Sequence, residues 1–270
     1  MIRALNTAAL RQQFLTAEPF PSLCIDDFLE PDFARAMARS YPDFDSARSM
    51  GFEFNAVNEK RKIQVTDESR FPAAVKSFAE LAAAPEFRRA LSEISGIDNL
   101  LWDDTYAGAG MHMTASSGRL DVHVDFNRLA AKNWYRRLNL LLFLNERWEE
   151  DWGGKLELWD ENVTRCVQSL EPRFNRLVMF ETSETSFHGV TPVRCPPDVA
   201  RKSFALYYYS DVPPAGVSPD KMHSTVFRAR PDEYVRGYVL MPFAAAREGV
   251  TTALRRVKSR TARALGLRRG

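Results

Sequence analysis

Residues 120–128 read LDVHVDFNR, and the fold follows from how this stretch is taken. The alternation of apolar and polar residues is that of a β-strand, so His123 and Asp125, two apart, leave the same face. One imidazole and one carboxylate aimed into a shared space are two members of a 2-His-1-carboxylate triad, an arrangement that leaves open positions on a bound metal. A His-x-Asp pair alone carries little weight, because such a match arises readily by chance in a chain of 270 residues. Its meaning depends on what surrounds it.

Downstream, the texture is that of many short strands. Residues 137–145 (RLNLLLFLN) are almost continuously apolar, as in a strand buried on both faces. Gly153-Gly154 then turns the chain into KLELW at 155–159, whose alternation is a clear strand signal. Residues 164–170, 177–181 and 203–210 continue the series, and on the upstream side 102–107, 111–115 and 120–124 read as three runs divided by Gly108, Gly110 and Gly118. The pattern predicts a mainly β protein with flanking helices, its core a jelly-roll sandwich or barrel over 101–211.

Residues 1–100 read as a helical and mixed support section of the same domain. Pro31 opens a helical pattern that Pro42 stops, and 71–94 carries Val75, Phe78, Leu81, Phe87, Leu91 and Ile94 at helical spacing with a break at Pro85. Residues 51–66 fit a hairpin or a loop equally well. Beyond Val212 the prolines at 213, 214 and 219 mark a linker, followed over 243–269 by a basic helix with no acidic residue after Glu248.

Composition describes an ordinary globular protein: 45% hydrophobic, 27% charged, formal net charge +2. Cys24, Cys166 and Cys195 are odd in number and widely spaced, which argues against a disulfide framework or a cysteine zinc site. No secretory signal and no apolar run of membrane-spanning length is read, so a reducing, cytoplasmic location is the expectation.

The chain has four histidines, His112, His123, His188 and His223. His188 follows the apolar strand RLVMF and precedes a Pro-containing turn, which places it at a strand end. A lone histidine there is more often structural; beside His123 and Asp125 it becomes the third ligand of an Fe(II) site. Thirteen residues on, Arg201 begins RKSFALYYYS, with Ser203 on its face and Lys202 on the opposite one. An arginine fork and a hydroxyl on one inward face form a clamp for a carboxylate. The plainer alternative is a solvated arginine at a strand edge.

In their order, LDVHVDFN, LNLLLFLNERWEEDWGGKLELWD, EPRFNRLVMFETSETSFHGV and RKSFALYYY resemble the iron(II)/2-oxoglutarate dioxygenases of the prolyl-4-hydroxylase type, over about 102–210. The resemblance implies a double-stranded β-helix with His123, Asp125 and His188 as metal ligands. It also implies Arg201 as partner of the 2-oxoglutarate C5 carboxylate, assisted by Ser203. Fe(II), 2-oxoglutarate and O2 would be the cofactor and co-substrates, with ascorbate (vitamin C) as a candidate reductant. The reaction would hydroxylate a prolyl or other peptide or small-molecule C–H bond and release succinate and CO2. Two positions depart from the family. Phe143 stands where a tyrosine hydroxyl is common, leaving Asn139 on the same face as a substitute donor to the co-substrate. A second expected tyrosine is missing near His112 and Thr114. The loop 127–136 (NRLAAKNWYR), with Arg128, Lys132, Trp134, Tyr135 and Arg136, is expected on the substrate side.

Two other readings compete. A cupin-like protein could hold a metal without oxidative turnover, but such a protein needs no carboxylate clamp at Arg201. An interaction module could use the basic tail to contact an anionic membrane surface; no aromatics interleave the arginines, which argues against a nucleic-acid platform.

Overall fold

The computed structural model describes residues 1–218 and 222–242. The chain divides into two compact units, Met1–Arg228 and Ala229–Gly270. In the first unit the helices are α1 (Thr7–Thr16), α2 (Pro31–Ser40), α3 (Phe44–Arg48), α4 (Ala73–Ala83) and α5 (Pro85–Ser95). Its strands are β1 (Ser22–Ile25), β2 (Phe52–Asn55), β3 (Glu59–Val65), β4 (Leu101–Trp102), β5 (Gly110–Val124), β6 (Arg128–Leu129) and β7 (Trp134–Phe143). They continue as β8 (Leu156–Trp159), β9 (Cys166–Leu170), β10 (Leu177–Glu181), β11 (His188–Val190), β12 (Ala200–Ser210) and β13 (Val226–Arg228).

Prolines at their first positions start α2 and α5, where a missing N–H costs no hydrogen bond. Gly96, in the left-handed region at φ 75°, ends α5. The stripes of the helices turn inward: Val75, Phe78, Phe87, Leu91 and Ile94 are buried against one face of the sheet, where they meet Phe204, Leu206 and Tyr208 of β12. Alternation on β12 therefore gives one face to the helices and leaves Arg201, Ser203, Ala205 and Tyr207 for the other.

The strand order β1-β10-β7-β12-β5-β11-β8-β9 describes one antiparallel sheet that curls on itself into a double-stranded β-helix, the jelly roll expected. The strand that turns the corner is β5. Its first half pairs with β12 (Arg201 opposite Thr114, Ser203 opposite His112) and its second half with β11 (His188 opposite His123). The bend falls between these halves, with Ser117 at φ 65°. Gly118 is required beside it, because a Cβ there would lie 2.5 Å from Thr114 Cγ2 and 2.7 Å from the Ala115 carbonyl oxygen.

Two expectations are corrected and one open choice is settled. Residues 111–115 and 120–124 form one strand, since Gly118 bends the backbone without breaking the pairing; the run at 102–107 contributes only Trp102, the second residue of β4. Residues 51–66 are a hairpin, β2 with β3, and β3 joins β5 along the sheet. The linker expected from Val212 is also interrupted: Val226–Arg228 returns to the sheet and pairs with Val122–Val124. The basic helix expected over 243–269, and the membrane contact read from it, lie outside the described residues. In the second unit, the described residues include the short helical turn Arg236–Leu240 and an Arg230–Glu233 ion pair at 3.7 Å.

Candidate metal and 2-oxoglutarate site

Pairing of β5 with β11 sets His123 and His188 directly opposite each other, and Asp125 follows two residues after His123. One ligand atom from each of the three lies within 4.8 Å of the others, the sole such cluster found among the described residues. The imidazole rings are 4.2 Å apart. His123 Nδ1 sits 2.9 Å from the Asp121 carbonyl, and His188 Nδ1 sits 3.0 Å from that of Ser186. Each Nδ1–H donates to its carbonyl, so each Nε2 keeps its lone pair for a metal. The Nε2 atoms face Asp125, at 3.6 Å from Oδ1 for His123 and 3.3 Å from Oδ2 for His188. Burial, followed by the neighbouring His123, pushes His188 toward its neutral form.

Asp125 is charged despite its surroundings. Burial works against the carboxylate, but the Arg136 guanidinium and the two imidazoles hold it well below the usual carboxylate range. Arg136 Nη2 is 3.0 Å from Oδ2, and Asn139 Nδ2 donates to the same oxygen at 2.7 Å. Arg136 Nε in turn donates to Asn139 Oδ1 at 2.8 Å, and the guanidinium lies 3.3 Å over the Tyr207 ring. Oδ2 is thus engaged by two neighbours on β7. Oδ1 remains the freer oxygen.

The sequence reading gave Asn139 to the co-substrate; the structure gives its amide to Asp125. The end of β5 brings the carboxylate closer to Asn139 than strand alternation on β7 reveals. Within 127–136, the loop expected on the substrate side, three of the cations are engaged inside the protein. Arg136 is buried on β7, Arg128 bonds Asn133 and stacks over Tyr135, and Lys132 pairs with Asp103 and Asp104.

Arg201 and Ser203 line the same cavity as the His–Asp–His cluster, and it has a volume of about 290 Å³. Arg201 is 4% exposed, yet among the described residues its charge meets no carboxylate. Its Nε donates to the Gly154 carbonyl at 2.7 Å, its plane rests on Phe143, and its Nη2 has no hydrogen-bond partner. Ser203 Oγ is likewise buried without a partner. Desolvation pushes the guanidinium down to about 10, so it remains charged at neutral pH. Gly154 must be glycine for this contact. It sits at φ 68°, and a Cβ there would lie 2.9 Å from Arg201 Cδ. The Gly-Gly turn of the sequence is therefore the seat of the arginine.

An orphaned cation and an orphaned hydroxyl, buried side by side, fit one end of a dicarboxylate. The neutral-imidazole and carboxylate donor set fits Fe(II) at the other. Sequence reasoning missed the cavity walls supplied by Gln64, Lys62 and Phe54, since nothing in 51–66 announced that β3 lies beside β5. His112, left without a role, is buried on that wall with Nε2 3.1 Å from Gln64 Nε2, and burial holds it well below the usual imidazole range.

Comparison with known proteins agrees with this geometry. Residues 109–209 match the family model of the 2OG-Fe(II) oxygenase superfamily. Over these residues the chain is similar to a 2OG-Fe(II) oxygenase domain. His123, Asp125, His188, Asn139, Arg201 and Ser203 all fall within the matched residues. Among curated relatives, prolyl 3-hydroxylase OGFOD1 of Mus musculus is 37% identical over 78 residues, 27% of this chain and 14% of that protein. The Xenopus laevis counterpart is 44% identical over 62 residues, 22% of this chain and 12% of that protein. The matches thus span well under a fifth of these relatives' length. Among solved structures, a Trichoplax adhaerens prolyl hydroxylase in complex with a hypoxia inducible factor peptide fragment aligns with TM-score 0.54 and 16% identity, over 76% of this chain and 91% of that one. A Pseudomonas putida prolyl-4-hydroxylase aligns with TM-score 0.52 and 19% identity, over 76% and 98%. These two likenesses bear on the fold of the oxygenase domain, which they share.

Proposed function

We propose that this protein is an Fe(II)- and 2-oxoglutarate-dependent dioxygenase that hydroxylates a prolyl C–H bond in a peptide. The observation that carries the reading is one cavity holding both a His–Asp–His cluster and a buried arginine with no carboxylate of its own. A protein that only stored metal would have no use for Arg201, which disfavours the cupin-like alternative. The prolyl substrate comes from the names of the relatives and is supported by the aromatic lining around the ligands, where Phe54, Phe126, Tyr207 and Phe227 suit an apolar aliphatic ring.

In this reading His123, Asp125 and His188 hold the iron through Nε2, a carboxylate oxygen and Nε2. Arg201 and Ser203 grip the distal carboxylate of 2-oxoglutarate and fix its length along the cavity. When bound, iron and 2-oxoglutarate supply oxidising power from O2, with release of succinate and CO2. Arg136 and Asn139 keep Asp125 charged and oriented, and the half-buried aromatic walls reduce the access of water to the reacting centre. A second cavity of about 490 Å³ shares Asp125, Phe126 and Arg136 with the first and runs past Pro19, Phe20 and Tyr135. It is the path by which a peptide reaches the iron.

The test is anaerobic reconstitution with Fe(II) and 2-oxoglutarate, followed by oxygen and a panel of prolyl peptides, amino acids and sugars, with ascorbate as reductant. Peptide-dependent succinate and a peptide 16 Da heavier by mass, a single added oxygen atom (about one hydroxylation per turnover), are expected. His188→Ala should remove the charge-transfer absorbance of the Fe(II)–2-oxoglutarate pair. A variant that keeps the band at full strength would overturn the ligand assignment.

A further inference from the structure

His223 was singled out in the sequence and has no part in the site as described so far. It begins an inward-facing row on the segment 222–228. In β13, Phe227 stands opposite His123 in register, with the rings 5.4 Å apart. Thr225, two residues earlier, lines the same cavity as Phe227, whereas Val226 between them is exposed. The period of two continues to His223, which faces the loops that carry the metal ligands. Its Nε2 lies 3.0 Å from Glu184 Oε1, and its backbone N–H donates to Asn127 Oδ1 at 3.0 Å. Asn127 also donates to Glu184, at 3.1 Å. Asn127 follows Asp125 by two positions and Glu184 precedes His188 by four, so one histidine joins the segment to both ligand-bearing loops. At the far end Arg228 lies over the Phe187 ring, 4.5 Å from its centroid.

A three-residue strand on a sheet edge has few backbone bonds to keep it in place. Its position here rests on the contacts at its two ends. We propose that 222–228 is a wall of the substrate cavity that discriminates by size through Phe227 and Thr225, and that His223 is the positioning residue that latches it. The proposal deepens the dioxygenase reading and rests on it for the word substrate. The latch itself stands on geometry alone.

The experiment uses the full chain as wild type and as His223→Ala, His223→Gln, Glu184→Gln and Phe227→Ala. Amide exchange by mass spectrometry is followed over 222–228 and over the paired residues 122–124. Loss of one charge-assisted bond should raise exchange about ten-fold or more in His223→Ala and Glu184→Gln. His223→Gln keeps an N–H near the Nε2 position and should stay close to wild type, a rescue that general destabilisation would not produce. Succinate released without added substrate should rise in His223→Ala and Phe227→Ala, as water and small molecules gain access. Unchanged exchange in both His223→Ala and Glu184→Gln would overturn the latch. Should His223→Ala not fold, Glu184→Gln against His223→Gln decides it. Substrate-free succinate at the wild-type rate in Phe227→Ala would overturn the wall. Wild type lacking the Fe(II)–2-oxoglutarate band would count against the dioxygenase reading, leaving the exchange result to judge the latch by itself.

Discussion

Arg201 is charged and 4% exposed, and among the described residues its Nη2 meets no hydrogen-bond acceptor. Desolvation pushes its guanidinium down to about 10, so holding the charge in the folded protein costs free energy relative to a solvated one. Replacing it by a similar-sized apolar residue should relieve that cost, as for other buried charges. Arg201→Met is expected to melt a few degrees higher than wild type without ligand and to lose the stabilisation that 2-oxoglutarate gives wild type. Its apparent 2-oxoglutarate constant should rise by roughly ten-fold to a thousand-fold, from the loss of one or two charge-assisted bonds, while Lys202→Ala changes neither property. Calorimetry under nitrogen measures both. A ligand-free Arg201→Met that melts lower would show that the charge is compensated in a way the geometry omits. Asn139 gives the opposite pattern. Asn139→Ala should weaken Fe(II) binding by about ten-fold or more, the usual effect of removing a group that orients a metal ligand. If metal titration is unchanged and only 2-oxoglutarate affinity falls, the partner inferred from the sequence was the right one. The metal ligands and Arg201 were legible because period-two alternation fixes a face. Partners such as Asp125 for Asn139 were not, because they depend on how two strands far apart in sequence are staggered.

Among elements, β5 and the turn before β8 show what glycines conceal. Three glycines around β5 read as breaks, yet Gly118 marks a bend through which pairing continues on both sides. Composition cannot distinguish a bend from an ending, since both need a residue without a side chain. The Gly-Gly turn read correctly as a turn, but its reason is the approach of Arg201 to Gly154. Gly154→Ala places a Cβ against Arg201 Cδ in a left-handed backbone region. It should lower 2-oxoglutarate affinity by about ten-fold or more, losing about one charge-assisted bond, and should leave iron binding near wild type. Parallel titrations with each ligand check this. Equal losses for both would mean that the whole sheet end had shifted. Helices α2, α4 and α5 were the most legible elements, since proline starts and apolar stripes are local signals that tertiary context did not override.

At the scale of the molecule, the sequence ended the catalytic core at residue 211, while the first compact unit extends to Arg228. A returning edge strand of three residues, after a proline-rich stretch, has no periodicity long enough to detect. Ending the chain after Arg228 should retain the Fe(II)–2-oxoglutarate band and wild-type exchange at 122–124. Ending it after Asp211 should speed exchange there, since Val122–Val124 lose their β13 partner. Exchange by mass spectrometry on the two shortened chains decides between the boundaries.

The cavity's own charges have a consequence for the order in which its guests arrive. Glu59 and Asp125 against Lys62, Arg136 and Arg201 leave one net positive charge along the walls. A divalent cation entering alone raises that to three, and a dianion entering alone inverts it to minus one. The two together change nothing. Where charges are partly removed from solvent, a neutral pair is admitted more readily than either member, and by linkage each tightens the other's affinity equally. Iron titrated in the presence of 2-oxoglutarate should therefore bind more tightly than iron alone, and by the same factor as iron tightens 2-oxoglutarate.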